Sequence, residues 1–306
     1  MARIEKKKDV VIVGLGWTGS IAGMELAAEG LEIVALERGG DQNTVPEFKY
    51  PNQIDELTYG VRLKNMQHPR QATVTVRRND SETALPYRSM GSFLPANGVG
   101  GAGTHWNGLL WRPQPQEIQL RSYVKERWGE SIIPEGMNLM DYPVSYDELE
   151  PFFTQFDEVA GVSGKAGNIK GQIQAGGNPF EGWRSKDYPM PALPSTYDSS
   201  KFEACAKSMG LHPFPAPAGI ASTSYVNPYG MQMAPCNFCG FCERFGCYQY
   251  SKSSPQTAVL DALKRKPNFE YRTHSEVLRV ESSADGKTAT GVTYFDAVKQ
   301  EEVFQP

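Results

Sequence analysis

The stretch Val11-Ile12-Val13-Gly14-Leu15-Gly16-Trp17-Thr18-Gly19-Ser20 carries the reading that decides the fold. An apolar run ends in glycine, and the spacing is G-x-G-x-x-G. Asp9 to Val13 is expected to be a buried parallel strand, and Ser20 to Glu29 a helix with Gly30 as its C-terminal cap. Leu31 to Glu37 reads as a second strand, which makes a βαβ unit. In that setting each glycine has a physical task. Gly14 permits the tight turn, Gly16 lets the backbone approach a pyrophosphate, and Gly19 lets helix and strand pack closely. The helix N-terminus offers partial positive charge and N–H donors to phosphate. Glu37, at the end of the second strand, is placed to accept hydrogen bonds from ribose hydroxyls. Its charge disfavours a 2′-phosphate. A ligand-free glycine turn is the alternative reading.

A second glycine region follows at Asn97-Gly98-Val99-Gly100-Gly101-Ala102-Gly103-Thr104-His105-Trp106-Asn107-Gly108, with five glycines in twelve residues. Such a run lets backbone lie against a flat or charged ligand with no side chain in the way. Gly100, Gly101, Thr104, His105 and Asn107 are its candidate binding residues. Trp106 reads as packing.

Four of the five cysteines fall at Cys236, Cys239, Cys242 and Cys247, a C-x2-C-x2-C-x4-C spacing. A secreted disulfide scaffold spreads its cysteines, so this crowding points to a metal or cluster. The expectation is an iron–sulfur cluster, because thiolates at such intervals can curl around one. Structural zinc, which usually takes two separated cysteine pairs, and disulfides or free thiols are the alternatives. Gly240 and Gly246 are expected to permit turns, and Phe238, Phe241 and Phe245 to exclude water. Cys205 reads as a lone buried thiol.

Elsewhere, Tyr146 to Gly161 reads as an amphipathic helix with Ser145 and Glu148 forming a capping box. Gly164 to Gln232 reads as loops and short strands rather than a disordered linker, since it keeps Phe180, Trp183, Tyr188, Tyr197 and Tyr225. Ser254 to Lys264 reads as a helix with Pro255 in its first turn. Phe269 to Arg272, Glu276 to Ser282 and a strand beginning at Gly291 follow, the last two joined by an Asp285-Gly286 turn. The 306 residues are 40% hydrophobic and 22% charged with net charge -4, which suits a folded protein and argues against a nucleic-acid surface. No run of eighteen apolar residues is present, and no apolar leader segment is read ahead of the first strand.

The two glycine regions, and Leu36-Glu37-Arg38-Gly39-Gly40, resemble the glucose–methanol–choline (GMC) oxidoreductase family. The resemblance implies an α/β fold: a Rossmann-like FAD-binding domain with excursion segments, and FAD rather than NAD. It implies that residues 1–112 form the FAD-binding unit, 113–235 the substrate-side excursion, and 236–306 the cysteine segment and the return to the FAD domain. Gly-Gly-x-x-Thr-His-Trp also resembles a flavin attachment segment, which implies a covalent bond at His105, with a non-covalent neighbour as the alternative. Val277 resembles the family's strand position whose backbone meets adenine, with plain strand packing as the alternative.

The cysteine segment followed by Ser251-Lys252-Ser253-Ser254-Pro255 looks most like the gluconate 2-dehydrogenase group of flavoproteins. That implies oxidation of a CH–OH group of a sugar, sugar acid (gluconate foremost) or polyol. It also implies a 3Fe–4S or 4Fe–4S cluster, a small subunit, a multihaem cytochrome c subunit, and the periplasmic face of the inner membrane. The family's catalytic histidine lies near the C-terminus of longer chains. None of His68, His105, His212 and His274 stands in that context, so the catalytic residues are expected beyond this sequence. A non-catalytic FAD and iron–sulfur electron-transfer module is the alternative.

Overall fold

The computed structural model describes residues 3–44, 48, 66–67, 74–77, 79–87 and 95–306. His68 lies outside the described residues. The chain forms two compact units, one of residues 1–67, 93–108 and 224–306, the other of residues 68–92 and 109–223.

The first unit is built on the opening βαβ. Strand β1 (Arg3–Ile4) precedes β2 (Val10–Val13), helix α1 (Trp17–Ala28) and β3 (Ile33–Leu36). Later come β4 (Phe269–Arg272), β5 (Ser275–Ser282), β6 (Ala289–Asp296) and β7 (Glu301–Gln305). β3 is central in a parallel sheet of order β4-β3-β2, with Ile33 opposite both Val10 and Phe269. All four β3 residues are buried, as a strand covered on both faces requires. A second sheet of order β1-β7-β6-β5 stacks on it, and Val34, Leu36, Val292, Tyr294 and Val303 form the shared core.

On the other face α1 packs through Gly23, where an added Cβ would lie 3.1 Å from Leu263 and 3.3 Å from Ile12. The helix starts three residues earlier than its apolar pattern suggests, directly after Gly16. Gly30, at φ +86, ends it.

The helix expected from Ser254 opens instead as a π-helical turn, Gln256–Leu260, and becomes α-helical only at Asp261–Leu263. Every residue of that turn is buried, so its wide turn presents side chains all round to the core. β5 and β6 pair antiparallel, with Gly286 at φ 70 in the turn between them. β7, which adds to β6, is not legible from the sequence pattern.

The second unit holds α2 (Leu120–Trp128), α3 (Tyr146–Ala160) and α4 (Tyr197–Ser208). α3 carries the complete Ser145–Glu148 capping box. α4 lies in the region expected to be loops, where Thr196 caps it by accepting from the Ser199 N–H. A buried charge cluster fixes α3. The Asp157 carboxylate accepts from Arg112 at 2.6 Å and from Arg184 at 2.5 Å, while Glu150 accepts from Arg112 at 3.1 Å.

Candidate functional site: a glycine cradle and a cysteine loop

The carboxyl ends of β2 and β3 carry the first glycine turn. Gly14 has φ +85, and an added Cβ there would meet nothing within 4 Å. At Gly19 an added Cβ would lie 2.1 Å from the Gly14 carbonyl oxygen, so helix and turn meet backbone to backbone. α1 begins with no side-chain cap and no acidic residue in its first turn. Glu37 is buried, and its carboxylate accepts from the N–H of Leu15 at 3.0 Å and of Gly39 at 2.9 Å. Each carboxylate oxygen keeps a lone pair for a hydroxyl.

The second glycine region lies over the first. The Gly100 N–H donates to the Leu15 carbonyl at 2.7 Å, and the Val99 N–H to the Gly40 carbonyl at 3.0 Å. An added Cβ on Gly16 would lie 3.9 Å from both the Gly100 oxygen and Gly101 Cα. Gly101–Thr104 forms a 3₁₀ turn, closed by the Thr104 hydroxyl donating to the Gly101 carbonyl at 3.0 Å. His105 is buried, and its Nε2 has no hydrogen-bond partner among the described residues. Burial, with Lys252 adding to it, holds the His105 imidazole below the usual histidine pKa, so the ring is neutral near pH 7. Asn107 is exposed at the end of the segment. Val277 packs against the core shared by the two sheets.

The structure therefore brings Gly14, Gly16, Gly19, Glu37, Gly100, Gly101, Thr104 and His105 into one unit. Gln256 joins them without being legible as a site residue. It is buried, and its side-chain N–H donates to the Val99 carbonyl at 2.8 Å, leaving Oε1 beside Gly100 without a partner among the described residues.

The cysteine loop is organised around a lysine. Lys252 is buried, and its ammonium donates to the carbonyls of Trp106 (2.5 Å), Cys242 (2.6 Å) and Phe245 (2.7 Å). Burial pulls its pKa down to about 8, while Cys242, Cys247 and Cys239 oppose the shift. Cys236, Cys239, Cys242 and Cys247 are all half-buried and without disulfides, and Cys205 is exposed rather than buried. Cys236 Sγ accepts from the Phe238 N–H and Cys247 Sγ from the Lys252 N–H, both at 3.3 Å. Burial raises the Cys236 and Cys242 thiols above the ordinary range, which keeps them protonated.

Two sequence expectations for this loop, those for Phe238 and Gly246, are corrected. Among the described residues no group of three or more histidine, cysteine or acidic side chains is placed to hold a metal ion. The loop turns carbonyls onto Lys252, and two thiols satisfy local N–H donors. Phe238 is 51% exposed, so of the three phenylalanines of this segment Phe241 and Phe245, edge to face at 5.3 Å, are the two that shield the loop, together with Phe48 and Tyr248. Gly246 is small because the Phe48 ring lies against it: an added Cβ would stand 2.2 Å from that ring. Only Gly240, at φ 80, makes a glycine-type turn.

No family model matches the chain. The gluconate 2-dehydrogenase flavoprotein of Pantoea cypripedii is 49% identical over 304 residues, covering 98% of this chain and 49% of that protein. The chain belongs to the GMC oxidoreductase family. The fructose dehydrogenase large subunit of Gluconobacter japonicus is 26% identical over 222 residues, covering 71% of this chain and 37% of that protein. The paromamine 6'-oxidase of Streptomyces fradiae is 23% identical over 278 residues, covering 89% of this chain and 41% of that protein. The chain thus spans about half the length of the first of these relatives, and less of the other two.

As a GMC chain, its glycine cradle fits FAD. Gly14 stands open, Val13 before it is 57% exposed at the carboxyl end of β2, and α1 presents an uncapped N-terminus. Ligands of parallel α/β sheets bind outside that edge. The thiols, by contrast, do not form a ready cluster site as placed. No helix among the described residues is long and apolar enough to cross a membrane.

Proposed function

We propose that this chain is the FAD-binding part of a dehydrogenase that oxidises a CH–OH group of a sugar, sugar acid or polyol, with gluconate as the first substrate to test. One observation carries this reading: two glycine segments, about eighty residues apart, are zipped together above the Glu37 carboxylate in a chain 49% identical to a gluconate 2-dehydrogenase flavoprotein. Bound FAD supplies a two-electron acceptor for the substrate hydride. The chain's own residues hold it. Gly14, Gly16 and the α1 N-terminus face the diphosphate, Glu37 takes the ribose hydroxyls, and Gly100 and Gly101 cover the diphosphate from the other side. Val277 lies on the strand assigned to the adenine end, and Thr104 and Asn107 to the flavin end.

His105 is the proposed point of covalent attachment. A neutral imidazole whose Nε2 is buried and unpartnered among the described residues would offer its lone pair to the flavin methyl carbon, the proton of the broken C–H bond leaving to solvent and its electron pair passing to the flavin ring. Acid precipitation of the purified flavoprotein is expected to leave yellow colour in the pellet. Colour wholly in the supernatant makes His105 a neighbour only.

Cys236, Cys239, Cys242 and Cys247 are the proposed ligands of a 3Fe–4S or 4Fe–4S cluster, for delivery to a multihaem cytochrome c subunit. A small subunit completes the assembly, at the periplasmic face of the inner membrane. The number and spacing of the thiols support this, as do the words "flavoprotein" and "large subunit" in the relatives' names. Iron and sulfide analysis with EPR, on wild type and Cys239→Ser, tests it: wild type without iron ends this part of the reading. Bleaching of the flavin by gluconate under anaerobic conditions, in a protein extended through the C-terminal region where the catalytic residues are expected, tests the oxidation itself. A flavin that no sugar, sugar acid or polyol reduces points to an electron-transfer module.

A further inference from the structure

Lys252 is a buried cation of the first unit with no carboxylate beside it among the described residues. It is 1% exposed, and no ion pair among the described residues includes it. Taking an ammonium out of water costs several kcal/mol, which hydrogen bonds must offset. An ammonium has three N–H donors, and here all three are used on carbonyl oxygens.

The owners of those carbonyls are the informative part. Cys242 and Phe245 belong to the cysteine loop, whereas Trp106 is the neighbour of His105, far away in sequence. Further bonds follow the same line. The Arg244 N–H donates to the His105 carbonyl at 2.7 Å, and the Trp106 indole N–H to the Ser253 carbonyl at 2.7 Å. Gly103 is pinned on the same side, since an added Cβ would lie 2.5 Å from Trp17 Nε1 and 2.7 Å from Pro255 Cδ. The turn holding His105 and the loop holding the thiols therefore share one buried cation and one backbone bond. Neither can open without stranding the ammonium or leaving its carbonyls unpaired.

We propose that Lys252 is a positioning residue that joins the Gly101–Trp106 turn and the 236–247 cysteine loop into one cooperative unit. A ligand settling against His105 orders the cysteine loop, and a change at the thiols is felt at the His105 turn. Two sites that share one opening equilibrium affect each other to the same extent in both directions. The identity of the first ligand, FAD, rests on the functional reading above; the coupling rests on the hydrogen bonds.

Amide hydrogen exchange on wild type and Lys252→Met, each with and without FAD, tests this. Added FAD slows the Arg244 amide of wild type by about tenfold and leaves that of the variant unchanged. Carboxamidomethylation of the thiols alters the visible circular dichroism of bound flavin in wild type but not in the variant, a signature that a merely structural lysine would not produce. An Arg244 amide that responds to FAD equally in both proteins overturns the proposal. So does one that ignores FAD in wild type while Gly101–Thr104 slows.

If wild type takes up no FAD, the functional reading falls and the flavin-free arm decides the coupling. There the Trp106 and Arg244 amides of the variant both exchange about tenfold faster than in wild type, while the β5–β6 hairpin is unchanged. Loosening of Arg244 alone overturns the proposal. Should the variant fail to fold, wild type alone decides. Protection of Trp106 and Arg244 within about threefold supports one shared opening, and a difference of about a hundredfold excludes it.

Discussion

The Glu37 carboxylate accepts the Leu15 backbone N–H at 3.0 Å, so the acidic residue at the end of β3 shapes the glycine turn at the end of β2. Glu37→Ala removes this bond and the one from Gly39, and leaves two N–H groups buried. Each charge-assisted bond is worth about 1.5–3 kcal/mol. Thermal unfolding without ligand is expected to show a loss of roughly 3 kcal/mol. FAD affinity should fall as well, measured by titration. A variant as stable as wild type would mean that the turn holds its shape without the carboxylate.

The two glycines flanking that turn should fail in different ways. Gly19→Ala drives a methyl to 2.1 Å from the Gly14 oxygen, which forces α1 off the strand. The expected cost is about 3 kcal/mol, seen as a lower unfolding midpoint. Gly14→Ala meets open space but must hold φ +85, at a cost of about 1–2 kcal/mol. Its methyl stands where the diphosphate is assigned, so it should lose flavin while remaining folded. A Gly14→Ala protein that retains flavin at the wild-type level contradicts the cradle.

Lys252 contributes stability that rises in mild alkali, while the raised Cys236 and Cys242 thiols contribute in the opposite direction. In the unfolded chain lysine titrates near 10.5, whereas burial pulls Lys252 down to about 8. Below pH 8 both states hold the proton, and the folded state bears the full cost of the buried charge. Between 8 and 10.5 the unfolded chain holds more protons, so unfolding becomes harder as pH rises. Across that window the gain is on the order of 3 kcal/mol. Lys252→Met should flatten this slope relative to wild type in denaturant titrations run through the same pH range. Parallel curves would show that the ammonium is not desolvated as placed.

In the second unit, Asp157→Ala strands the Arg184 guanidinium, which is 1% exposed, and leaves Arg112 with Glu150 as its carboxylate partner. Breaking a buried ion pair by removing one partner costs about 3–5 kcal/mol. Calorimetry is expected to show that loss in the transition that unfolds α3. Arg112 retains Glu150, so the double change Asp157→Ala with Arg184→Met should recover part of it.

The opening βαβ, the glycine turn and the α3 capping box were legible in the sequence, because neighbours in the chain determine them. A strand-to-helix turn needs glycine at fixed offsets, and Ser145 finds its Glu148 partner three residues on. The hairpin of β5 and β6 was legible for the same reason, its turn being marked by Asp285-Gly286. What tertiary structure alone decided involves partners far apart along the chain. Gly100 meets Leu15, and Trp106 meets Lys252. Nothing in the polar run Ser251-Lys252-Ser253-Ser254 marks it as core, yet the whole run is buried, and carbonyls elsewhere in the chain receive the lysine's donors. The thiols show the same limit from the other side. Their spacing states how many donors are available, but where they point is decided by the carbonyls and N–H groups of the surrounding loop. The sequence by itself determined the chemistry on offer, and the long-range hydrogen bonds around Lys252 and Glu37 determined how it is arranged.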